Sequence, residues 1–235
     1  GDLSTGASLM HEALRLGHHV FVMTGRPARL SDPIRPPGDP LRAVDDPAVL
    51  ALQGDVSEHV DALQRIGEGI DVLEVRKPGQ IASCSALVLP GGESTTIVQQ
   101  LNSSGLAGEL EAAATKGLPI LATCAGLVLI SREIEGDNHV QPLGLMDIKI
   151  SRNAFGPQRE SFEADLDVED MDRPYRAVFI RAPAVSEVGR DVQVLAKVGG
   201  LPVAVREKNL LGLAFHPELT DDMRFHQLFL KMLEA

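Results

Sequence analysis

The sequence predicts an α/β fold, a three-layer sandwich in which helices cover both faces of a central, mostly parallel sheet. Short apolar segments alternate with amphipathic ones between residue 48 and about residue 133, and this alternation builds a parallel sheet. The apolar run Leu118 to Ala122 leads through the small residues 123–126 into a helix, so one strand turns directly into a helix. Beyond Leu143, strand-like segments follow one another with only short turns between them, which indicates antiparallel additions to the sheet.

The alternating part of the chain is predicted to begin with a buried strand from Ala48 to Leu52. Apolar residues at helical spacing from Val56 to Ile66 predict the first helix. Residues 94–96 are Ser-Thr-Thr, and their hydroxyls suit the N-cap of a second helix. The other elements predicted here are strands at 72–75 and 86–89, a helix at 106–116, and a helix from 127 that continues through 133.

The second part of the chain is predicted to contain six strands and a closing helix. An acidic stretch from Asp165 to Asp172 interrupts it, and a solvated turn is the favoured interpretation over a metal site. The predicted strands are Leu143 to Ile150, Ser161 to Leu166, Ala177 to Ile180, Val192 to Val198, Val203 to Val205 and Leu210 to Phe215, and the helix runs from Met223 to Leu233.

Residues 1–47 do not follow this pattern. Six of the chain's fifteen prolines lie between Pro27 and Pro47, and proline at that density prevents regular structure. The prediction is an N-terminal extension or linker at 1–47 that is not part of the domain, followed by one domain at 48–235.

Composition excludes several classes of function. The formal net charge is −11, which argues against binding nucleic acid, because phosphate binding requires clustered Lys and Arg. No apolar run is long enough to span a membrane, and no N-terminal segment has the pattern of a secretion signal. The two cysteines, Cys84 and Cys124, belong to no metal-binding motif. We therefore expect free thiols in a cytoplasmic protein with no metal and no membrane or nucleic-acid partner.

Cys124 stands at the apex of the strand-to-helix turn. Such a turn strains the middle residue and directs its side chain away from the end of the sheet, which requires small neighbours. Thr123, Ala125 and Gly126 meet that requirement. The N-terminus of the following helix favours a thiolate. Taken alone, a cysteine in an apolar segment is more often an inert core residue.

The segment Leu210 to Phe215 is a second apolar strand, and it ends in His216-Pro217-Glu218. Residues two apart on an extended segment face the same way, so Glu218 is expected to hold one ring nitrogen of His216 while the other faces a thiol. A nucleophile needs a base, and the base needs an orienting group. His216 taken alone is more simply structural, but together with Cys124 it predicts a nucleophilic triad.

Three motifs resemble those of the class I (triad) glutamine amidotransferases, and more narrowly those of glutaminase subunits of pyridoxal 5′-phosphate synthase. They are Pro-Gly-Gly-Glu-Ser-Thr-Thr at 90–96, Thr-Cys-Ala-Gly at 123–126 and Phe-His-Pro-Glu-Leu-Thr at 215–220. Shorter matches lie at 52–54, 161–166 and 179–183, and the resemblance extends from about Val49 to the C-terminus. One departure is Ala122, where the family usually has glycine.

The resemblance implies a flavodoxin-like class I glutamine amidotransferase fold and hydrolysis of L-glutamine by Cys124, His216 and Glu218, without a cofactor. It implies an oxyanion hole formed by the N–H groups of Gly92 and Ala125. Gly91-Gly92 could equally be an ordinary turn at the end of a strand. By resemblance, the substrate site comprises Gly92, Glu93, Ser94, Arg152, Ile180 and Arg181, with Gln53 as a gate to the oxyanion hole.

The resemblance also implies a partner, a barrel-shaped synthase subunit that receives the ammonia within a large hetero-oligomer. The alternatives are the glutaminase of another pathway, such as that of imidazole glycerol phosphate synthase, an intracellular thiol peptidase, or a non-catalytic binding protein. Surface salt bridges are the alternative for Arg152 and Arg181. The other histidines are expected to be surface or packing residues; they include His18, His19, His59, His139 and His226.

Overall fold

The computed structural model describes residues 46–66, 70–136, 140–152, 154–155 and 161–234. Almost all of the predicted extension at 1–47 therefore lies outside the described residues, as do His18, His19 and His139. In chain order the strands are β1 (Pro47–Leu50), β2 (Leu73–Val75), β3 (Ala86–Leu89), β4 (Ile120–Thr123), β5 (Ser131–Ile134), β6 (Met146–Ser151), β7 (Ser161–Leu166), β8 (Tyr175–Ile180), β9 (Ala184–Val188), β10 (Gln193–Val198), β11 (Leu201–Glu207) and β12 (Leu210–Leu213). The helices are α1 (Val56–Ile66), α2 (Ser94–Ser104), α3 (Leu106–Thr115), α4 (Ala125–Ile130) and α5 (Arg224–Lys231), with 3-10 turns at Ile81–Ser83, Pro217–Leu219 and Met232–Glu234.

The main sheet has seven strands in the order β10-β11-β12-β4-β3-β1-β2. The five strands from β12 to β2 run parallel, and β11 and β10 extend the sheet with antiparallel pairing. The remaining strands form a three-stranded sheet, β5-β6-β9, and a two-stranded sheet, β7-β8. The predicted α/β class, with a mostly parallel central sheet and antiparallel additions, is confirmed.

The central strands are buried along their whole length. Every residue of β1, β3, β4 and β12 is buried, which is the pattern of a parallel sheet covered on both faces. Burial of this apolar surface stabilises the fold by roughly 25 cal/mol for each Å² removed from water.

An aromatic cluster holds β8 and α5 against the segment that follows β12. Tyr175 and Phe225 meet edge-to-face with ring centroids 4.7 Å apart, and Phe225 meets Phe215 in the same way at 5.2 Å. The ring of Phe179 lies 5.5 Å from that of Phe215. Edge-to-face pairs add about 0.5–1.5 kcal/mol each beyond their buried area. The cluster therefore fixes the position of the residue after Phe215, which is His216.

Three local predictions were wrong, and one strand was not predicted. Residues 131–133 begin strand β5, because α4 ends at Ile130. The N-cap of α2 is Glu93, whose carboxylate accepts hydrogen bonds from the N–H groups of Thr95 and Thr96, and so the hydroxyls do not provide the cap. Strand β9 was not predicted, and Pro47, which was assigned to the linker, is the first residue of β1. Proline is tolerated there because the first residue of a strand can lack a ladder donor.

None of the helices in the described part of the chain is long and apolar enough to cross a membrane.

Candidate active site

The candidate site lies where neighbouring parallel strands end. Cys124 follows β4 and His216 lies three residues beyond β12, and these two strands pair in parallel, with Thr123 opposite Leu213. The N–H of Cys124 donates to the carbonyl of Leu213 at 2.8 Å. The predicted Gly92 turn follows β3, the other neighbour of β4. Ligands of open α/β sheets bind in the crevice at the carboxyl ends of the strands, so the topology brings these groups to one place.

Cys124 has the strained backbone that the sequence predicts. Its φ is 48° and its ψ is −103°, which is rare for a residue with a side chain. A Cβ on Gly126 would lie 2.2 Å from the carbonyl oxygen of Leu89, so only glycine fits there. Ala122 is fully buried and keeps its ladder positions opposite Leu89 and Gly212, so the extra methyl group is accommodated.

His216 and Glu218 meet as predicted, but the predicted reason was wrong. Nδ1 of His216 lies 2.7 Å from Oε1 of Glu218. The segment between them is not extended, because Pro217–Leu219 is a 3-10 turn. The turn brings the Glu218 carboxylate back to the imidazole, and both residues are buried.

Asp55 is a second carboxylate on the same ring nitrogen, and it was not predicted from the sequence. Its Oδ2 lies 3.3 Å from Nδ1 of His216. A Cβ on Gly91 would lie 2.8 Å from this oxygen and 2.7 Å from Cε1 of His216, so the chain packs closely around the pair. The signal was the position of Asp55 just after Gln53-Gly54, at the carboxyl end of the buried strand β1.

The two carboxylates give His216 an unusual charge state. Burial opposes protonation of the ring, but the neighbouring side chains of Asp55, Cys124 and Glu218 outweigh it and raise the pKa of His216 well above its ordinary value. The contact with His216 lowers the pKa of Asp55. Burial raises the pKa of Glu218, and the contact with His216 opposes that rise. The arrangement therefore favours an imidazolium beside the thiol.

The sulfur faces the chain segment after β8. Sγ of Cys124 donates to the carbonyl of Ile180 at 3.8 Å, which brings the predicted site residue Ile180 to the nucleophile. The N–H of His216 donates to the carbonyl of Val178 on the same strand at 2.9 Å. Arg181 follows with φ at 44° and an exposed side chain. Nε2 of His216 is buried and forms no hydrogen bond within the described part of the chain.

The glycine turn and the predicted gate are in direct contact. Oε1 of Gln53 accepts a hydrogen bond from the N–H of Glu93 at 2.9 Å, and it would lie 2.8 Å from a Cβ on Gly92. A Cβ on Gly54 would lie 1.7 Å from the carbonyl oxygen of Gly91. Gly54 and Gly92 have φ values of 102° and 142°, which glycine adopts without strain. The turn after β1 therefore packs directly on the turn after β3.

Two of the predicted substrate-binding residues meet each other. Nη2 of Arg152 donates to Oγ of Ser94 at 2.8 Å, at the start of α2. Glu93, by contrast, directs its carboxylate to its own helix, where it also accepts from the hydroxyl of Thr96 at 2.5 Å. These hydrogen bonds lower the pKa of Glu93 to about 2.

Two buried histidines lie behind Glu218. Nε2 of His59 is 3.3 Å from Oε2 of Glu218 and 3.1 Å from Oγ1 of Thr123. Nδ1 of His59 is 3.3 Å from Nε2 of His226. Both residues are fully buried, as expected of packing residues. Their contact with the triad was not predicted, because nothing in the local sequence relates His59 to Glu218.

Asp55, His216 and Glu218 are the one group of potential metal ligands found in the described residues, with ligand atoms within 4.8 Å of one another. Both carboxylates contact the same nitrogen of His216. An imidazolium at His216 therefore offsets one of the two negative charges.

The model of the SNO glutamine amidotransferase family matches residues 49–235. The chain belongs to this family. The match starts within β1, so it covers the described domain and leaves residues 1–48 outside.

Similar proteins agree with this family membership. The pyridoxal 5′-phosphate synthase subunit PdxT of Methanothrix thermoacetophila is 58% identical over 183 residues, which are 78% of this chain and 97% of that protein. PdxT of Archaeoglobus fulgidus is 52% identical over 197 residues, covering 80% of this chain and 98% of that one. A crystal structure of a glutamine amidotransferase has a TM-score of 0.76 at 44% identity, covering 82% of this chain and 100% of that chain. PurLQS from Thermotoga maritima has a TM-score of 0.57 at 18% identity, covering 80% of this chain and 98% of that one, and shares the fold.

Proposed function

We propose that this chain is the glutaminase subunit of pyridoxal 5′-phosphate synthase, which hydrolyses L-glutamine to glutamate and ammonia. The observation that carries the proposal is the convergence of Cys124, His216 and Glu218 at the carboxyl ends of the paired strands β4 and β12. The relatives named PdxT, 48–58% identical to this chain, support this pathway over that of imidazole glycerol phosphate synthase.

In the proposed mechanism, Cys124 is the nucleophile. Its thiolate attacks the side-chain amide carbon of glutamine, and His216 donates a proton to the nitrogen as ammonia leaves. A thioester remains on Cys124. His216 then takes a proton from a water molecule that attacks the thioester, and glutamate is released. Glu218 fixes the orientation of His216 and stabilises the imidazolium.

Each tetrahedral intermediate carries negative charge on one oxygen. The N–H groups of Gly92 and Ala125 are the proposed donors, each worth roughly 3 kcal/mol of transition-state stabilisation. Ala125 is the first residue of α4, so its N–H is free of intrahelical bonding. Gln53 contacts the Gly92 turn, which supports its proposed role as a gate to the oxyanion hole.

Substrate selection is assigned to groups around the start of α2. The pair Arg152 and Ser94 supports a clamp on the α-carboxylate of glutamine, because the planar guanidinium matches a carboxylate. The contact between Cys124 and the Ile180 carbonyl supports Ile180 and Arg181 as the opposite wall. Gly92 and Glu93 contribute backbone to the site.

Ammonia released here is proposed to pass to a barrel-shaped synthase subunit in a hetero-oligomer. The relatives' name, synthase subunit, supports such a partner. The free thiols of Cys84 and Cys124 support a cytoplasmic location.

The test is ammonia release from glutamine, measured with and without the synthase subunit. Cys124→Ala is expected to abolish release, because no other group can form the thioester. Cys84→Ala is the matched control. Burial raises the pKa of Cys84 to about 12, so this thiol is inert and its removal should leave turnover unchanged. Glutaminase activity in Cys124→Ala would refute the assignment.

A further inference from the structure

We propose that His59 is a positioning residue of the triad, whose Nε2 proton lies between the hydroxyl of Thr123 and the outer oxygen of Glu218 and serves both. The inference rests on the proposed function, because it gives His59 a task only if Glu218 orients the base.

The Glu218 carboxylate has one oxygen facing His216 and one facing away from it. Its Oε1 contacts His216 at 2.7 Å. Its Oε2 is buried and forms no hydrogen bond within the described residues as they stand. A buried carboxylate oxygen without a donor is costly. Nε2 of His59 lies 3.3 Å from this oxygen, and the side chains of His59 and Glu218 are both 0% exposed.

The surroundings of His59 determine which of its ring nitrogens carries the proton. Burial and the nearby His226 and His216 rings lower the pKa of His59 well below its ordinary value, so the ring is neutral and has one donor and one acceptor. A carboxylate oxygen only accepts, and a lone pair on Nε2 would repel it. Oγ1 of Thr123, 3.1 Å from the same nitrogen, can accept a proton from it as well as donate one. A proton on Nε2 is therefore compatible with both oxygens, whereas a lone pair there is compatible with the hydroxyl alone.

His226 is the partner of His59 on the other side of the His59 ring. With its proton on Nε2, His59 must accept at Nδ1, where Nε2 of His226 lies at 3.3 Å. His226 thus donates from Nε2 and holds the tautomer of His59. Its own Nδ1 is buried without a hydrogen-bond partner in the described part of the chain, which matches an unprotonated nitrogen. Polar contacts therefore run from α5 through α1 to the triad.

The consequence is that Glu218 is held from both sides. A donor at Oε2 adds to the contact between Oε1 and His216 in fixing the plane of the carboxylate. A donor on Oε2 also favours the charged form of Glu218, which burial opposes. Losing this donor should therefore weaken the orientation and charge stabilisation of His216 without changing the glutamine-binding groups.

The experiment measures kcat and KM for glutamine in the complex with the synthase subunit. His59→Leu is expected to lower kcat by about 10- to 100-fold, the range for one lost hydrogen bond to a charged group. KM should stay within about twofold of the wild-type value, because substrate contacts are retained. In a Glu218→Gln background the same substitution should lower kcat by less than about threefold, because the neutral amide needs no such donor.

Leu63→Ala is the control for a loss of packing. Leu63 lies on the same helix as His59, is fully buried and has no polar atom. This variant should lose stability, keep its kcat while folded, and combine additively with Glu218→Gln. The inference would be overturned if His59→Leu had the wild-type kcat. It would also be overturned if His59→Leu lowered kcat by the same factor in the Glu218→Gln background as in the wild-type enzyme.

A second pair of variants keeps the test decisive if His59→Leu does not fold. The amide of His59→Gln reaches the position of Nε2, whereas that of His59→Asn reaches only the position of Nδ1. His59→Gln should keep most of kcat and His59→Asn should lose it; equal values would contradict the proposal. Absence of ammonia release from the wild-type complex would instead contradict the proposed function itself.

Discussion

His216 lies between two carboxylates that contact the same ring nitrogen, Glu218 at 2.7 Å and Asp55 at 3.3 Å. The two differ in setting. The Glu218 side chain is 0% exposed, while that of Asp55 is 35% exposed and lies in the turn after β1. The buried carboxylate is fixed by its surroundings, whereas the Asp55 contact depends on the position of the Gln53-Gly54-Asp55 turn.

Asp55→Asn is expected to lower the pKa of His216, because it removes one of the groups that favour the imidazolium. The measurement is an NMR titration of the His216 imidazole. Asp221→Asn is the matched control, since it makes the same charge change at a side chain that is 98% exposed and should leave this pKa unchanged. If the titration of His216 were the same in Asp55→Asn and wild type, Asp55 would have no electrostatic part in the site.

Among the residues of the site, those that belong to sequence motifs could be predicted, whereas those outside such motifs were missed. Cys124 could be found because a strained turn demands small neighbours, and His216 because a buried strand ended in a histidine with a glutamate two residues later. Asp55 and His59 lie far from both in sequence, and only the folded sheet brings them to the imidazole and to Glu218.

Among the elements, the strand-to-helix turn between β4 and α4 places the strictest demand on sequence. The α4 backbone at Gly126 passes so close to the Leu89 carbonyl that a single methyl group would not fit. Direct contact between the two backbones therefore fixes the position of α4 against the end of β3.

Gly126→Ala is expected to destabilise the protein by about 1–3 kcal/mol, the usual range for overpacking. Gly108→Ala in α3 is the control: a Cβ there meets nothing within 4 Å, and alanine should stabilise that helix by roughly 0.5–1 kcal/mol. Urea unfolding measures both changes. Equal effects of the two substitutions would show that the turn tolerates a side chain at 126.

The element boundaries that were wrong share a physical reason. Apolar residues at 127–130 continue into Ser131, and no local signal distinguishes a longer helix from a change to strand. The pairing of β5 with β6, which is a tertiary contact, decides it. The N-cap of α2 was also predicted from local sequence, in this case from the hydroxyl groups of residues 94–96. Glu93 provides the cap instead, because its carboxylate reaches two N–H groups at once.

For the whole molecule, the alternation of strands and helices was enough to predict the parallel sheet, because each buried apolar run could pair only with others of its kind. The split of the later strands between three sheets was not predictable, since short strands of similar pattern can pair in several ways.

The buried histidines should make stability dependent on pH. Burial, with a smaller effect of Arg65, lowers the pKa of His226 from 6.5 to about 4. Between these pH values the unfolded chain binds a proton that the folded protein excludes. The free energy of unfolding should therefore fall as pH falls, by up to about 1.4 kcal/mol per pH unit for each such group.

His226→Leu is expected to flatten this decline between pH 6.5 and pH 4, which urea unfolding at several pH values would measure. His59 acts in the same direction and remains in the variant. The raised pKa of His216 adds stability that is fully present below pH 6.5, so it leaves the slope there unchanged. Identical slopes in variant and wild type would show that His226 is protonated when folded.

Because of the positive φ of Cys124, the residue that would make the fold most stable at this position differs from the one that catalysis requires. Glycine adopts such a backbone freely, whereas alanine does not, so Cys124→Gly should resist urea better than Cys124→Ala by about 1 kcal/mol. This reverses the order found at ordinary buried sites. The chain would be more robust with no side chain at the position of its nucleophile, and selection for thermal tolerance alone would remove the sulfur.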